Sequence, residues 1–162
     1  VLVLAFELRQ RDLIDFDLAQ FRFANVSRAR SRGLEGALAY RGERWSLRAN
    51  LTRLTAENLD SGADLLRRPQ ESGNLWLAFR PGRLTLSVAG RLVGERPDFD
   101  PATGAAVVNH SYVRVDVAAR YQLSEHFAPS LRVENAGDRQ YEEVAGYPAS
   151  GRAVVVGLTA SY

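Results

Sequence analysis

The sequence predicts an all-β chain, an antiparallel up-and-down sheet of about eight strands that forms a segment of a transmembrane β-barrel. Three observations predict it. Apolar and polar residues alternate with a period of two, the links between alternating segments are by turns tight and long, and aromatic residues gather beside the tight links. A period of two belongs to strands, whose successive side chains point to opposite faces. Tight links at one end of a sheet and long ones at the other are the arrangement of outer-membrane barrels, and a ring of aromatic residues marks a membrane–water interface.

The elements follow in order. VLVLAFELRQ reads as a strand over about residues 1–10. The second strand, about 28–41, ends at Tyr40 before a tight link at 41–44. The third, about 44–57, sets Trp45, Leu47, Ala49 and Leu51 against Ser46, Arg48, Asn50 and Thr52. The fourth, about 70–80, carries Phe79 into RPGR, whose Pro–Gly pair is a strong turn signal. In the fifth, about 83–94, Leu84, Leu86, Val88 and Leu92 oppose Thr85, Ser87 and Arg91. The sixth, about 111–122, opposes Val113, Val115, Val117 and Tyr121 to Arg114, Asp116 and Arg120, which helical spacing would scatter around a cylinder. The seventh, about 127–136, starts at Phe127 after the tight link 122–126. The last, about 152–162, alternates Val154, Val156, Leu158, Ala160 and Tyr162 with Gly157, Thr159 and Ser161. Gly33, Gly36 and Gly90 lie inside strands, where they mark bends or close approaches.

The segments 11–27, 58–69, 95–110 and 137–151 are long and polar, so all the long links fall at one end. Tyr40, Trp45, Phe79, Tyr121 and Phe127 lie beside the tight links on the apolar side of their strands, with Tyr162 at the same level. Parity alone does not say which face is inward. A soluble barrel of the lipocalin kind would place the apolar face inside and Arg48, Arg91 and Arg114 outside. Strand length, link asymmetry and the aromatic level favour the membrane barrel.

Composition narrows the function. There is no Cys, which excludes disulfides, thiolate catalysis and Cys-ligated metals. All 21 basic residues are Arg, dispersed along the chain, and the formal charge is +2, so no nucleic-acid partner is expected. A mean hydropathy of −0.22 and the lack of a long apolar run exclude a helical membrane span and leave a barrel open. The chain has neither an initiator Met nor a leader-like segment, and is expected to be an internal or C-terminal piece of a longer protein. No enzyme is expected and no cofactor is assigned. His110 beside Ser111 lacks a recognisable orienting acid and oxyanion hole, and His126 falls in a tight link at the opposite end. Glu95, Asp98 and Asp100, with Asp60 and Asp64, invite calcium, but no EF-hand spacing is present and a solvated acidic loop is the safer reading.

The C-terminal segment VENAGDRQYEEVAGYPASGRAVVVGLTASY resembles the ending of TonB-dependent outer-membrane receptors, most of all their cobalamin-receptor branch. The family pattern is Val-x-Asn-Leu-Phe-Asp-x-x-Tyr, then Gly-Tyr-x-x-x-Gly-Arg, then a strand ending in an aromatic residue. Val133, Asn135, Asp138 and Tyr141 match the first part, Gly146, Tyr147, Gly151 and Arg152 the second, and Tyr162 the terminal aromatic. Upstream, Asn25, Ala29, Gly33 and Glu35 resemble one family strand, and Arg68, Pro69 and Asn74 the opening of another. Ala136–Gly137 departs from the usual Leu–Phe, and Tyr162 from the commoner Phe.

The resemblance implies a barrel of about 22 strands, of which this chain, residues 1–162, supplies the C-terminal part, with the plug domain and the TonB-engaging motif lying elsewhere. It implies an outer-membrane receptor that imports a scarce nutrient complex, such as a corrinoid or siderophore, with energy delivered through TonB. The implied partners are outer-membrane lipid, the plug of the same receptor, the TonB complex, the nutrient complex and the outer-membrane assembly machinery, which would read the strand Val154, Val156, Leu158, Ala160 and Tyr162. On this reading Arg48, Arg91, Arg114, Asp116, Arg120, Arg132 and Glu134 form a polar lumen wall. The alternative is a self-contained eight-stranded outer-membrane barrel, an adhesin or anchor, which requires residues 1–10 and 152–162 to pair.

Overall fold

The computed structural model describes residues 1–17 and 22–161. These residues form twelve strands: β1 Leu2–Asp17, β2 Arg22–Arg41, β3 Trp45–Asn58, β4 Glu71–Phe79, β5 Leu84–Val93, β6 Arg96–Phe99, β7 Ala106–Asn109, β8 Tyr112–Tyr121, β9 Phe127–Glu134, β10 Glu142–Val144, β11 Tyr147–Pro148 and β12 Ala153–Ala160. Eight of them form one antiparallel sheet in the order β1-β2-β3-β4-β5-β8-β9-β12, the up-and-down order the alternation predicts. β6 with β7 and β10 with β11 make two small hairpins inside the long links. Among the described residues β1 and β12 do not pair, so the sheet is open at both edges and the closure that a self-contained barrel requires is missing.

One link is corrected. Within the link 11–27, residues 11–17 and 22–27 are not loop: they extend β1 and β2 as paired strands, with Arg11 opposite Arg28 and Asp17 opposite Arg22, and residues 18–21 lie outside the described residues. The polarity that suggests a loop does not exclude a strand, because cross-strand pairing still satisfies the backbone. This extension lies at the long-link end of the sheet.

Register assigns the faces. Directly opposed residues share a face, so Arg48, Trp76, Ala89 and Asp116 run in one row and Asn50, Asn74, Arg91 and Arg114 in the next. A hollow of about 770 Å³ lies along this polar face, lined in part by Arg48, Asn74, Trp76 and Asp116, so the polar face is concave. The opposite, convex face carries Leu34, Leu51, Leu75, Leu86, Val113, Leu131 and Val156, all exposed. The accessible surface of 11259 Å² exceeds the roughly 8,000 Å² expected of a compact protein of this mass. Apolar side chains facing outward from a concave polar wall contradict the lipocalin arrangement and match a lipid-facing sheet.

The outward polarity changes once. From the aromatic end up to Leu34 and Leu51 the convex face is apolar, and Trp45 stacks on Phe79 at its lower border with centroids 4.3 Å apart. Beyond that level on β1–β3 the same face carries Arg53, Arg32, Glu7, Arg30, Glu57 and Arg9. The inward face there turns apolar instead, with Phe6, Leu54 and Ala56, and Leu65 folds in to make a small core with Ala29 and Ala56. This inversion is the pattern expected where strands pass from hydrocarbon into water. Gly33 allows the close approach of the strands at this level: a Cβ there would run into the Arg53 carbonyl and lie 3.0 Å from the Phe6 ring.

Candidate functional site: a polar wall braced by three loops

The wall is built by alternation, which delivers every second side chain of β3, β4, β5, β8 and β9 to the concave face. Arg48 lies over the Trp76 ring, 5.1 Å from its centroid. Asn50 accepts from Asn74 through both the backbone N–H, at 2.9 Å, and the side-chain amide, at 3.1 Å. Arg114 grips Asp116 bidentately at 2.9 and 2.8 Å, and Glu134 lies 3.9 Å from Arg114 and 3.4 Å from Arg132. Arg91 reaches Glu143 of β10 at 3.3 Å. The structure thus joins Arg114, Asp116, Arg132 and Glu134 into one ladder. Arg48 stands apart from it, and Arg120 is exposed nearer the tight-link end.

The matched motif residues brace the last long link. Asn135 is buried in a left-handed conformation, φ 48°. Its backbone N–H donates to Asp116 at 2.8 Å. Its side chain accepts from the Arg139 N–H at 2.9 Å and donates to the Arg139 carbonyl at 2.9 Å and to the Ser150 carbonyl at 3.4 Å. Asp138 accepts from the Arg152 N–H at 2.8 Å, with Gly151 packed against its carboxylate. Tyr141 stacks on Tyr112 with centroids 4.1 Å apart. Gly146, at φ 82°, receives Pro101 of the neighbouring link so closely that a Cβ would lie 2.8 Å from its ring. Tyr147, Arg68 and Arg152 are exposed, and Pro69 precedes β4. Glu35 lies on the inward face beside Thr52. Val154, Val156, Leu158 and Ala160 share the convex face. Tyr162 and the Asn25 side chain lie outside the described residues.

A second brace escapes sequence reasoning. β6 sends Arg96 and Asp98 to one side. The fully buried Asp98 carboxylate accepts from Arg67 Nε at 2.9 Å, from the Phe99 N–H at 3.0 Å and from the Ala145 N–H at 2.9 Å. The buried Arg96 guanidinium donates to the carbonyls of Gly94, Glu142 and Glu143 at 3.3, 2.6 and 2.9 Å, and lies 5.8 Å from the Tyr112 ring centroid. Burial pushes the Asp98 carboxyl up; the Ala145 N–H, the Arg67 guanidinium and the Phe99 N–H outweigh it and leave its pKa below the ordinary carboxylate value. Three links, 59–70, 94–111 and 135–152, are fastened through this one strand. The only sequence signal is an Arg and an Asp two residues apart, because most of their partners are backbone groups.

Three of the carboxylates considered for calcium have other partners: Asp98 as above, Asp60 on Arg28 at 2.8 Å, and Asp100 on the N–H groups of Ala102 and Thr103. His110 lies 4.0 Å from Glu95, and His126 Nδ1 lies 3.1 Å from the Ser161 carbonyl at the opposite end.

An open antiparallel sheet with an apolar convex face, an ion-paired concave face and long braced loops at one end is a section of a transmembrane β-barrel wall. The chain belongs to the TonB dependent receptor-like β-barrel family, whose model matches residues 3–136. It is 31% identical over 104 residues to the vitamin B12 transporter BtuB of Vibrio cholerae serotype O1, covering 61% of this chain and 17% of that protein. Its fold is similar to that of the ferripyoverdine receptor of the Pseudomonas aeruginosa outer membrane, with a TM-score of 0.81, 18% identity, and coverage of 98% of this chain and 24% of that one. It is also similar to the copper transporter OprC, with a TM-score of 0.75, 18% identity, and coverage of 99% and 28%. The chain therefore spans between 17% and 28% of the length of these proteins.

Proposed function

We propose that this chain is the C-terminal section of the barrel of a TonB-dependent outer-membrane receptor that imports a nutrient complex, a corrinoid, a siderophore or a similar chelate. The observation that carries the reading is the concave ladder of Arg114, Asp116, Arg132 and Glu134, set beneath loops braced to one another. A charged wall of this kind fits a lumen that packs around a polar plug, and the braced loops fit a ligand-gathering mouth. On this reading Arg48, Arg91 and Arg120 also contact plug or water, and the section performs no covalent chemistry. Cross-strand ion pairs are worth about 0.2–1 kcal/mol each, so they tune the wall without determining its fold. Relatedness to a vitamin B12 transporter favours a corrinoid as the first ligand to test. The test is uptake of labelled cobalamin and of ferric siderophores by cells lacking the gene that encodes this chain, with a strain lacking TonB alongside. The expected result is loss of the same uptake in both strains, and full uptake of every ligand in both would reject the proposal.

A further inference from the structure

The hairpin β6–β7 turns one face toward the link 135–152. Arg96 and Asp98 lie on that face, and register places Asn109 on it, directly opposite Arg96. Arg96 and Asp98 each have three hydrogen-bond partners. Asn109 is as well buried, only 7% exposed, yet its side-chain Nδ2 is the one buried side-chain polar atom without a hydrogen-bond partner among the described residues. A buried donor left unpaired is costly, and folded proteins nearly always supply it with an acceptor.

Asn109 lines a hollow of about 1010 Å³ between the links 94–111 and 135–152. Sites for small molecules run to roughly 300–1,000 Å³, so this one has room for a large ligand. It shares no lining residue with the hollow along the concave wall, or with the smaller one lined by Arg91, Arg96 and Glu143. Pro101 against Gly146, and Asp98 on the Ala145 N–H, pin the two links to each other, so the hollow is formed before a ligand arrives. Three carboxylates line it, each held through one oxygen by backbone N–H groups: Asp100 by Ala102 and Thr103, Asp138 by Arg152, and Glu142 by Gly146. Arg139 is the one guanidinium in the lining, so with His110 neutral the hollow carries a formal surplus of two negative charges. No cluster of His, Asp and Glu among the described residues is arranged to hold a metal ion.

These features select a ligand group. It accepts from Asn109 Nδ2, offers N–H donors to the second oxygens of the carboxylates, and bears no negative charge. A primary carboxamide meets all three conditions, with its carbonyl acceptor, its two donors and its neutrality. Corrinoids carry a rim of such groups, whereas an anionic ferric chelate meets like charge at the hollow. We infer that this hollow is a binding site for the peripheral carboxamides of a corrinoid, with Asn109 donating to a carboxamide carbonyl and Asp138 and Glu142 accepting from its N–H groups. Such a site presupposes that the receptor imports a nutrient complex, and narrows that complex to one with an amide rim.

The test is equilibrium binding of labelled cobalamin to the intact receptor in mild detergent, with amide exchange of the loops measured alongside. Asn109→Leu is expected to weaken cobalamin binding by about fivefold or more. Protection of the two links is expected to stay at least as strong as in the wild type, because the unpaired buried donor is gone. Cobalamin whose peripheral carboxamides have been hydrolysed to carboxylates is expected to bind the wild type weakly and to be indifferent to the substitution. Unchanged cobalamin affinity in Asn109→Leu, or equal wild-type affinity for the amide and carboxylate forms, would overturn the inference. Affinity and loop protection lost together would also overturn it, making Asn109 a brace of the loops. Should Asn109→Leu fail to assemble, Asn109→Ala and the hydrolysed-corrinoid comparison decide. A wild-type receptor that binds a ferric siderophore and no corrinoid would overturn the site and leave nutrient import standing, whereas binding of neither would reject both.

Discussion

Asp98 and Asn135 do related work by different means. Each is a small polar side chain that satisfies backbone groups from separate segments, and burial makes their hydrogen bonds costly to lose. Asp98→Asn removes the charge and turns one acceptor oxygen into a donor, facing either the Ala145 N–H or the Arg67 guanidinium. The expected cost is about 1–3 kcal/mol of local stability, read as faster amide exchange at Ala145 and across β10–β11, with the membrane strands unaffected. The pH dependence has a definite sign. The folded pKa of Asp98 is depressed, so its stabilisation is fully present above the unfolded value of about 3.9 and fades as pH falls through the folded value. Loop protection is therefore expected to be flat from neutral pH to about 5 and to drop below about 3.9 in the wild type, whereas the Asn variant shows no such step. A wild-type profile without that step would reject the role given to Asp98. Asn135 and Asp138 were legible in the sequence because they recur at fixed spacing in a motif. Asp98 was not, because its charged partner Arg67 is 31 residues away and its other partners are N–H groups that carry no sequence identity.

At the scale of elements, strand faces are readable wherever the environment differs across the sheet. In the band between the aromatic level and Leu34, lipid on one side and the polar lumen on the other impose strict alternation, and the predicted strands agree with the structure to within a residue or two. Above that band water lies outside and the contrast reverses, so β1 and β2 lose their alternating signature and 11–27 resembles a loop. The inversion predicts a sharp boundary. Because the chain has no Cys, single cysteines report without background. Arg32→Cys is expected to react rapidly with a membrane-impermeant maleimide in whole cells, and Leu34→Cys, two residues below on the same face, to resist it. Equal reactivity would displace the membrane boundary. The hairpins β6–β7 and β10–β11 were equally hidden, being short, polar and held by contacts between loops.

At the scale of the whole molecule, the described residues form a curved sheet whose edge strands β1 and β12 are unpaired on their outer sides, and each edge strand carries outward apolar residues: Val3 on β1, and Val154, Val156 and Leu158 on β12. Such edges favour pairing with further strands. On the proposed reading, in which β12 is the receptor's closing strand and assembly signal, deletion of Tyr162 from the intact receptor is expected to lower its outer-membrane level on immunoblots of fractionated cells; an unchanged level would count against that role. The same strand offers a stricter test of which side is lipid. Val155 and Val156 are adjacent and chemically identical, and register sends Val155 to the concave face opposite Arg132 and Val156 to the convex face opposite Leu131. Val156→Arg would place a guanidinium in hydrocarbon near mid-strand, costing about 2–4 kcal/mol. Val155→Arg meets water and one like charge, a penalty of at most about 1 kcal/mol. Denaturant unfolding of the receptor in bilayers is thus expected to separate two substitutions one residue apart by several-fold in stability cost. A reversed order would place lipid on the concave side and overturn the barrel orientation, and equal costs would mean that neither face of β12 meets lipid.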